Sequence, residues 1–165
     1  MIIETKIDFK SYLKLMLTLT YRTPGTIVLS IIGFILILIS VLYFVGINLM
    51  FNEPPYLQIA LGFFIMAFLP FSTYRNARKN YLTYDLLQEK IIYEFTDEKI
   101  IETGETFDSE MDWTEIYSVL ELNDWIIIYH ISGSANFLPK ESFGENLNEF
   151  KELIKRINIP AKLKQ

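Results

Sequence analysis

The 165-residue sequence has no cysteine and a single histidine, His130. Without cysteine there is no disulfide and no thiolate metal site. One histidine, with no H-E-x-x-H spacing, does not build a zinc centre by itself. No G-x-x-x-x-G-K-[ST], G-x-G-x-x-G or G-x-S-x-G occurs, so the chain shows none of the loops that cradle phosphate or raise a nucleophile. Basic charge is also scarce. Fifteen Lys and Arg face 20 Asp and Glu, for a formal net charge of −5, which argues against a nucleic-acid partner. No catalytic constellation, cofactor or metal is expected.

Charge of either sign is missing from two long stretches. No Asp, Glu, Lys or Arg occurs from Thr23 to Asn52, nor, after Glu53, from Pro54 to Tyr74. A helix rises 1.5 Å per residue, so about 20 residues cross a hydrocarbon core of roughly 30 Å. Both stretches meet that length. The remaining chain is too short to cover two such helices on every face, which argues against a soluble core. A cleavable signal peptide has an apolar region of roughly 7–15 residues with small residues before the cut. Here "TIVLSIIGFILILISVLYFVGI" is longer, and no A-x-A follows.

Two retained membrane helices are expected, near 26–47 and 56–74, with the short link "NLMFNEPPY" making them an antiparallel hairpin. Pro70 predicts a kink near the end of the second, which membrane helices tolerate. No ionisable side chain lies in either span, which argues against a pump or proton relay. No G-x-x-x-G or small-x-x-x-small pair marks a tight packing face. Lys6, Lys10, Lys14 and Arg22 precede the first span, Arg75, Arg78 and Lys79 follow the second, and the link has no basic residue. The positive-inside rule then puts both termini in the cytoplasm.

Outside the spans the pattern changes twice. In "IDFKSYLKLMLTLTYRTPG", Phe9, Tyr12, Leu13, Met16, Leu17 and Leu19 or Thr20 recur at helical spacing. Asp8 is placed to cap this helix, and Pro24-Gly25 ends it. It reads as an interfacial helix with Lys10 and Lys14 toward lipid headgroups, or as a helix packed on the soluble part. Lys10, Lys14, Arg22, Arg75, Arg78 and Lys79 are the expected membrane-surface residues, the last three on a helix continuing out of the bilayer. The expected division is an N-terminal segment at 1–24, a hairpin at 25–75 and a cytoplasmic domain at 76–165.

From residue 91 the period becomes two. "IIYEF", "IIET", "TFDSEMDW", "IYSVLEL", "WIIIYHI" and "ANFL" read as about six short strands of an antiparallel meander. Turns are expected at "TDEK", Gly104-Glu105, Asn123-Asp124 and Ser132 to Ser134. "GENLNEFKELIKRINI" returns to helical spacing, with Leu147, Phe150, Ile154 and Ile157 in one stripe and Leu153 beside it. Pro160 stops it. The fold class is α+β: a two-helix membrane hairpin plus a small antiparallel sheet closed by a C-terminal helix. Ile91, Tyr93, Phe95, Trp113, Ile116, Trp125, Ile127, Tyr129, Phe137, Phe143, Phe150 and Ile154 form the expected core. His130 falls on the opposite parity from Trp125, Ile127 and Tyr129 and reads as a strand-surface or satisfied core residue.

Between Asp85 and Asp124 there are 13 acids and two lysines, a local net of 2 − 13 = −11. Their strand spacing reads as a solvated face rather than a cation site, and no D-x-[DN]-x-[DN]-G loop is present. The inner leaflet is negative, so this face should point away from lipid. A partner for it would be basic.

"EFTDEKI" (Glu94 to Ile100), Trp113-Thr114-Glu115-Ile116, and Leu138-Pro139-Lys140 followed by Phe143 come in this order after the two spans. That arrangement resembles the YcxB-like family of bacterial membrane proteins over roughly residues 90–155. The resemblance implies a bacterial inner-membrane, multi-pass protein whose C-terminal domain has a pleckstrin-homology or GRAM-like fold. It implies no agreed activity and no catalytic residues. A phosphoinositide site fits poorly, because the first hairpin loop, "TDEK", carries two acids before its lysine.

The expected function is a membrane-anchored interaction or regulatory module that uses the bilayer and an unidentified protein as partners. Homo-oligomerisation is left open. The alternatives are an immunity-type protein guarding the inner membrane against a rival's toxin, and a lipid-binding or lipid-acting protein. Lys140, Trp113, Glu115 and Asp112 are the candidate interaction or joint residues. Pro139 ends ladder pairing, so Lys140 sits where the sheet gives way to the helix. It either pairs with a nearby carboxylate and holds that joint, or contacts a ligand or headgroup.

Overall fold

The computed structural model describes residues 1–47 and 52–163. Asn48 to Phe51, in the expected interhelical link, lie outside the described residues. The chain divides into two compact units: Phe9–Thr83, and Met1–Asp8 together with Tyr84–Gln165.

The first unit is helical. It consists of α1 (Phe9–Thr20), α2 (Pro24–Phe44) and α3 (Tyr56–Thr83). Helix α2 opens with Pro24 in its first turn, where the missing N–H costs no hydrogen bond. Both long helices are apolar enough to cross a membrane, with mean hydropathies of 2.9 and 1.6, and only 11% of either apolar window is buried. They lie antiparallel: Gly33 meets Gly62 and Ile65, while Phe44 packs on Tyr56. A Cβ on Gly62 would sit 2.8 Å from the Gly33 carbonyl oxygen, so the two backbones touch there.

This close contact corrects the expectation of no small-residue packing face. One glycine on each helix suffices, without a repeat along either. Ser40 is fully buried on the same helix as Gly33 and returns its hydroxyl to the Leu36 carbonyl at 2.7 Å. Helix α3 runs through Pro70 to Thr83 as one element, nine residues beyond the expected end of the span. Helix α1 packs its aromatic side on α3 through Phe9 with Tyr74 and Tyr81, and through Tyr12 with Tyr81. Its buried residues are Tyr12 and Leu15, so Leu15 belongs to the packed stripe although the expected one omits it.

The second unit holds two four-stranded sheets. The first runs β1 (Ile2–Thr5), β2 (Ile91–Phe95), β3 (Lys99–Thr103) and β4 (Asp108–Asp112), all antiparallel. The second has the order β7-β6-β5-β8, from β5 (Ile116–Glu121), β6 (Trp125–His130), β7 (Ala135–Pro139) and β8 (Ala161–Lys162). Among the described strands only β8 pairs in parallel, on β5. Helix α4 (Leu147–Ile157) lies between β7 and β8 in sequence and ends on Asn158, whose left-handed backbone (φ 63°) caps it.

The six expected strands are present, but they do not form one meander. The turn at Trp113–Glu115 separates them into two sheets. Two further strands, β1 and β8, complete the sheets. The division also differs from the expected one at 24/25 and 75/76. Residues 1–8 belong with the sheets, and the helical unit is an insertion between the paired strands β1 and β2.

The main core contains Ile3, Tyr93, Phe95, Ile100, Trp113, Ile116, Val119, Ile126, Ile128, Leu138, Phe143, Phe150, Leu153 and Ile154. Phe95 is its hub, with ring centroids 5.1 Å from Phe150, 6.2 Å from Trp113 and 6.3 Å from Phe143. The expected burial of Trp125 and Ile127 holds, but the opposite face of β6 is buried as well. Ile126, Ile128 and Leu138 enter this core, whereas Trp125 and Ile127 are buried outside it and Tyr129 and Phe137 are half-buried. Four consecutive residues of β6, Trp125 to Ile128, are buried, so the strand has no polar face to set its phase.

Candidate functional site

The sheet-to-helix joint is built around one buried carboxylate. Pro139 ends β7 opposite Trp125, and the next N–H, that of Lys140, donates to the Asp124 carbonyl at 2.9 Å. The chain then makes a short 3-10 stretch into α4, with Gly144 at φ 51°. This path points Lys140 back to the end of β5. Lys140 Nζ lies 2.5 Å from Glu121 Oε1. Lys151, from the second turn of α4, places its Nζ 2.9 Å from Glu121 Oε2. The Glu121 side chain is 1% exposed, and those of Lys140 and Lys151 are 21% and 16% exposed. A carboxylate out of water needs charged partners on both oxygens, and here it has one lysine on each. The trio ties β5, the end of β7 and α4 together.

Sequence reading singled out Lys140 but missed Glu121 and Lys151. A β-bulge explains the miss. Register shifts between Ile116 and Ser118, so Ile116, Val119 and Glu121 all face inward. Strict alternation from Ile116 would turn Glu121 to solvent. A carboxylate two residues after the core residue Val119 was the available signal.

Asp112, Trp113 and Glu115 meet in a different place. Asp112 and Glu115 cap one 3-10 turn reciprocally, the Asp112 side chain accepting from the Glu115 backbone and Glu115 Oε1 accepting the Asp112 N–H at 3.3 Å. This turn buries Trp113, whose indole N–H donates to the Thr96 carbonyl at 2.9 Å. The Glu115 carbonyl accepts from Ile131 N–H at 2.9 Å. The turn therefore docks on the β2–β3 hairpin and the end of β6. The Phe95 ring stacks on both Trp113 and Phe143, and so spans from this turn to the segment that follows Lys140. Lys10, Lys14, Arg22, Arg75, Arg78 and Lys79 are all exposed on the helical unit, with the Arg75 guanidinium 5.9 Å from the Phe71 ring centroid.

A second polar feature lies in the first sheet. Glu102 is buried opposite Tyr93 and accepts from the Asn136 amide of β7. Burial pushes the Glu102 carboxyl above its ordinary range, partly offset by Asn136. Burial, and then the nearby Glu102 charge, push the Tyr93 phenol up. At the same end of the sheet Glu89 clamps the β3–β4 turn, accepting from the Glu105 and Thr106 N–H groups and the Thr106 hydroxyl. The Thr106 hydroxyl is the main cause holding its carboxyl below the usual range. His130 Nδ1 lies 2.9 Å from Ser134 Oγ across the β6–β7 turn, and burial lowers the imidazole's pKa. Among the described residues no three His, Asp or Glu side chains are grouped to hold a metal.

Residues 95–154 match the family model described as YcxB-like protein. The match supports that family for the sheet-and-helix unit. It runs from the end of β2 into α4, and so takes in the Trp113 turn, Glu121, Lys140 and Lys151. The helical unit and β1 lie outside it. No curated protein matches the chain, and no solved structure does.

Proposed function

We propose that this chain is a membrane-anchored interaction or regulatory module of the bacterial inner membrane, without catalysis. Helices α2 and α3 span the bilayer, and the two-sheet unit is a pleckstrin-like domain held at the cytoplasmic surface. One observation carries the reading: two helices of 21 and 28 residues whose apolar windows are only 11% buried. Phe34, Phe63, Phe64, Phe68 and Phe71 are each at least half exposed. A continuous apolar surface of this kind is unstable in water and stable in lipid. Sheets of four strands each with a helix after β7 support the pleckstrin-like assignment. The absence of catalysis is supported by the use made of the candidate charges. Lys140 and Lys151 are engaged with Glu121, and Asp112 with Glu115, each in holding the fold.

The native chain has no cysteine, so any introduced thiol is the only one. Glu53→Cys, in the link, should react with an impermeant maleimide added outside spheroplasts. Asn123→Cys, on the β5–β6 turn, should react only after lysis. Release of the chain by alkaline carbonate, or the reverse labelling pattern, would overturn the proposal.

A further inference from the structure

Strand β4 ends the first sheet, and among the described residues one of its sides pairs with no strand. Its register with β3 decides which backbone groups face that side. Gly104 N–H donates to the Phe107 carbonyl at 2.8 Å, and the ladder continues as Glu102 with Ser109 and Ile100 with Met111. Hydrogen-bonded and non-hydrogen-bonded pairs alternate in an antiparallel ladder. Phe107, Ser109 and Met111 therefore turn their N–H and C=O toward β3, and Asp108, Glu110 and Asp112 turn theirs away. The Asp112 N–H is taken by Glu115. Asp108 and Glu110 present two donors and two acceptors with no backbone partner among the described residues.

Side chains on this edge are equally one-sided. Asp108, Glu110 and Asp112 are exposed on one face, while Ser109 and Met111 are half-buried on the other. Strand β3 shows how a cation meets this acidic row. Lys99 Nζ reaches Glu110 Oε2 at 2.5 Å, diagonally across the ladder. On the open side no strand among the described residues supplies such a residue.

On the reading that the domain recruits a partner, we infer that this edge takes an extended segment with basic residues at alternate positions, added antiparallel as a fifth strand. Its lysines or arginines lie opposite Asp108, Glu110 and Asp112, and its intervening residues are small or apolar, above Ser109 and Met111. A second copy of the chain is the wrong occupant. Antiparallel self-pairing would set the acids of one β4 against those of the other, and like charges directly opposite repel.

The test is calorimetric titration of the full chain, in nanodiscs of zwitterionic lipid, with a nine-residue peptide of alternating lysine and valine. A control peptide of the same charge carries backbone N-methyl groups on its three central lysines. The edge requires the lysine N–H groups, so the control should bind roughly tenfold more weakly. Glu110→Pro removes an outward N–H without touching the β3 ladder, and should bind the first peptide about fivefold more weakly than Glu110→Gln. Equal binding of the two peptides reduces the contact to charge attraction and overturns the inference. So does the absence of binding, while the thiol-labelling result stands or falls separately. Should Glu110→Pro fail to fold, the peptide pair alone decides.

Discussion

The lysine that follows Pro139 is held by a glutamate 19 residues earlier: Lys140 Nζ sits 2.5 Å from Glu121 Oε1, and the carboxylate is 1% exposed. Lys140→Met removes the cation on Glu121 Oε1 and keeps Lys151 on Oε2. Half of a buried ionic contact is then uncompensated, and the unit should lose about 2–3 kcal/mol. Replacing both lysines with Met should cost more, and adding Glu121→Leu to that pair should recover most of the loss. Both tryptophans, Trp113 and Trp125, lie in the sheet unit, so their fluorescence during urea unfolding reports on it alone. Unchanged stability in Lys140→Met, with lost binding of a partner, would make Lys140 a ligand contact instead.

Strand β1 carries a second prediction. Ile3 is 3% exposed in the main core and pairs with Tyr93 of β2. An 84–165 fragment therefore lacks an edge strand and a core side chain. Joining residues 1–8 to residue 84 through a short glycine linker should give a domain with a higher melting temperature than the fragment. Within the full chain, Ile3→Ala should cost about 2–4 kcal/mol. Equal melting of fragment and fusion would show that β1 adds nothing.

Glu102 supplies a pH dependence. Its folded carboxyl is raised from 4.5 by burial, so the native state binds the proton more tightly than the unfolded chain. That contribution is complete below the unfolded value and is lost as pH rises through the gap to the folded value. Glu102→Gln keeps an acceptor for Asn136 and removes the titration. The melting temperature of wild type minus that of Glu102→Gln should fall as pH rises from 4 toward 7. Taking the difference cancels Glu89, whose lowered carboxyl acts in the opposite direction and is unchanged in both chains. A difference that is flat with pH would place Glu102 in water.

The Gly33–Gly62 contact predicts a local failure in the hairpin. Gly62→Ala drives a methyl to 2.8 Å from the Gly33 carbonyl oxygen and 3.2 Å from the Ile37 nitrogen, both backbone atoms. The helices must separate, at a cost of about 1–3 kcal/mol. Gly25→Ala meets nothing within 4 Å and serves as the control. Circular dichroism of the chain in mixed micelles of rising SDS content should show helical loss earlier for Gly62→Ala only.

Much of the fold was legible because its signals are local. The change from uncharged runs to period-two strands and then to the Leu147–Ile157 stripe needs no tertiary information. Six strands and four of the turns between them are readable for the same reason. Strand β1 is not: "IIET" near the N-terminus is four residues long, and its partner lies beyond the whole helical unit. The same tetrapeptide forms part of β3, yet its second isoleucine is buried in β1 and its first in β3. Strand phase is set by the neighbour, not by the tetrapeptide. Strand β6 fails similarly, since burial of both faces erases alternation.

By itself, the sequence determined the two apolar helices, the α+β organisation, the positions of six strands and the break at Pro139. Each follows from hydropathy, periodicity or the missing proline N–H. Only the tertiary structure decided that β1 closes onto β2, that the meander splits into two sheets, and that Glu121 receives Lys140 and Lys151. Those outcomes depend on a bulge, on edge pairing across a long insertion, and on where a buried charge finds its counterions. None of the three is a property of adjacent residues.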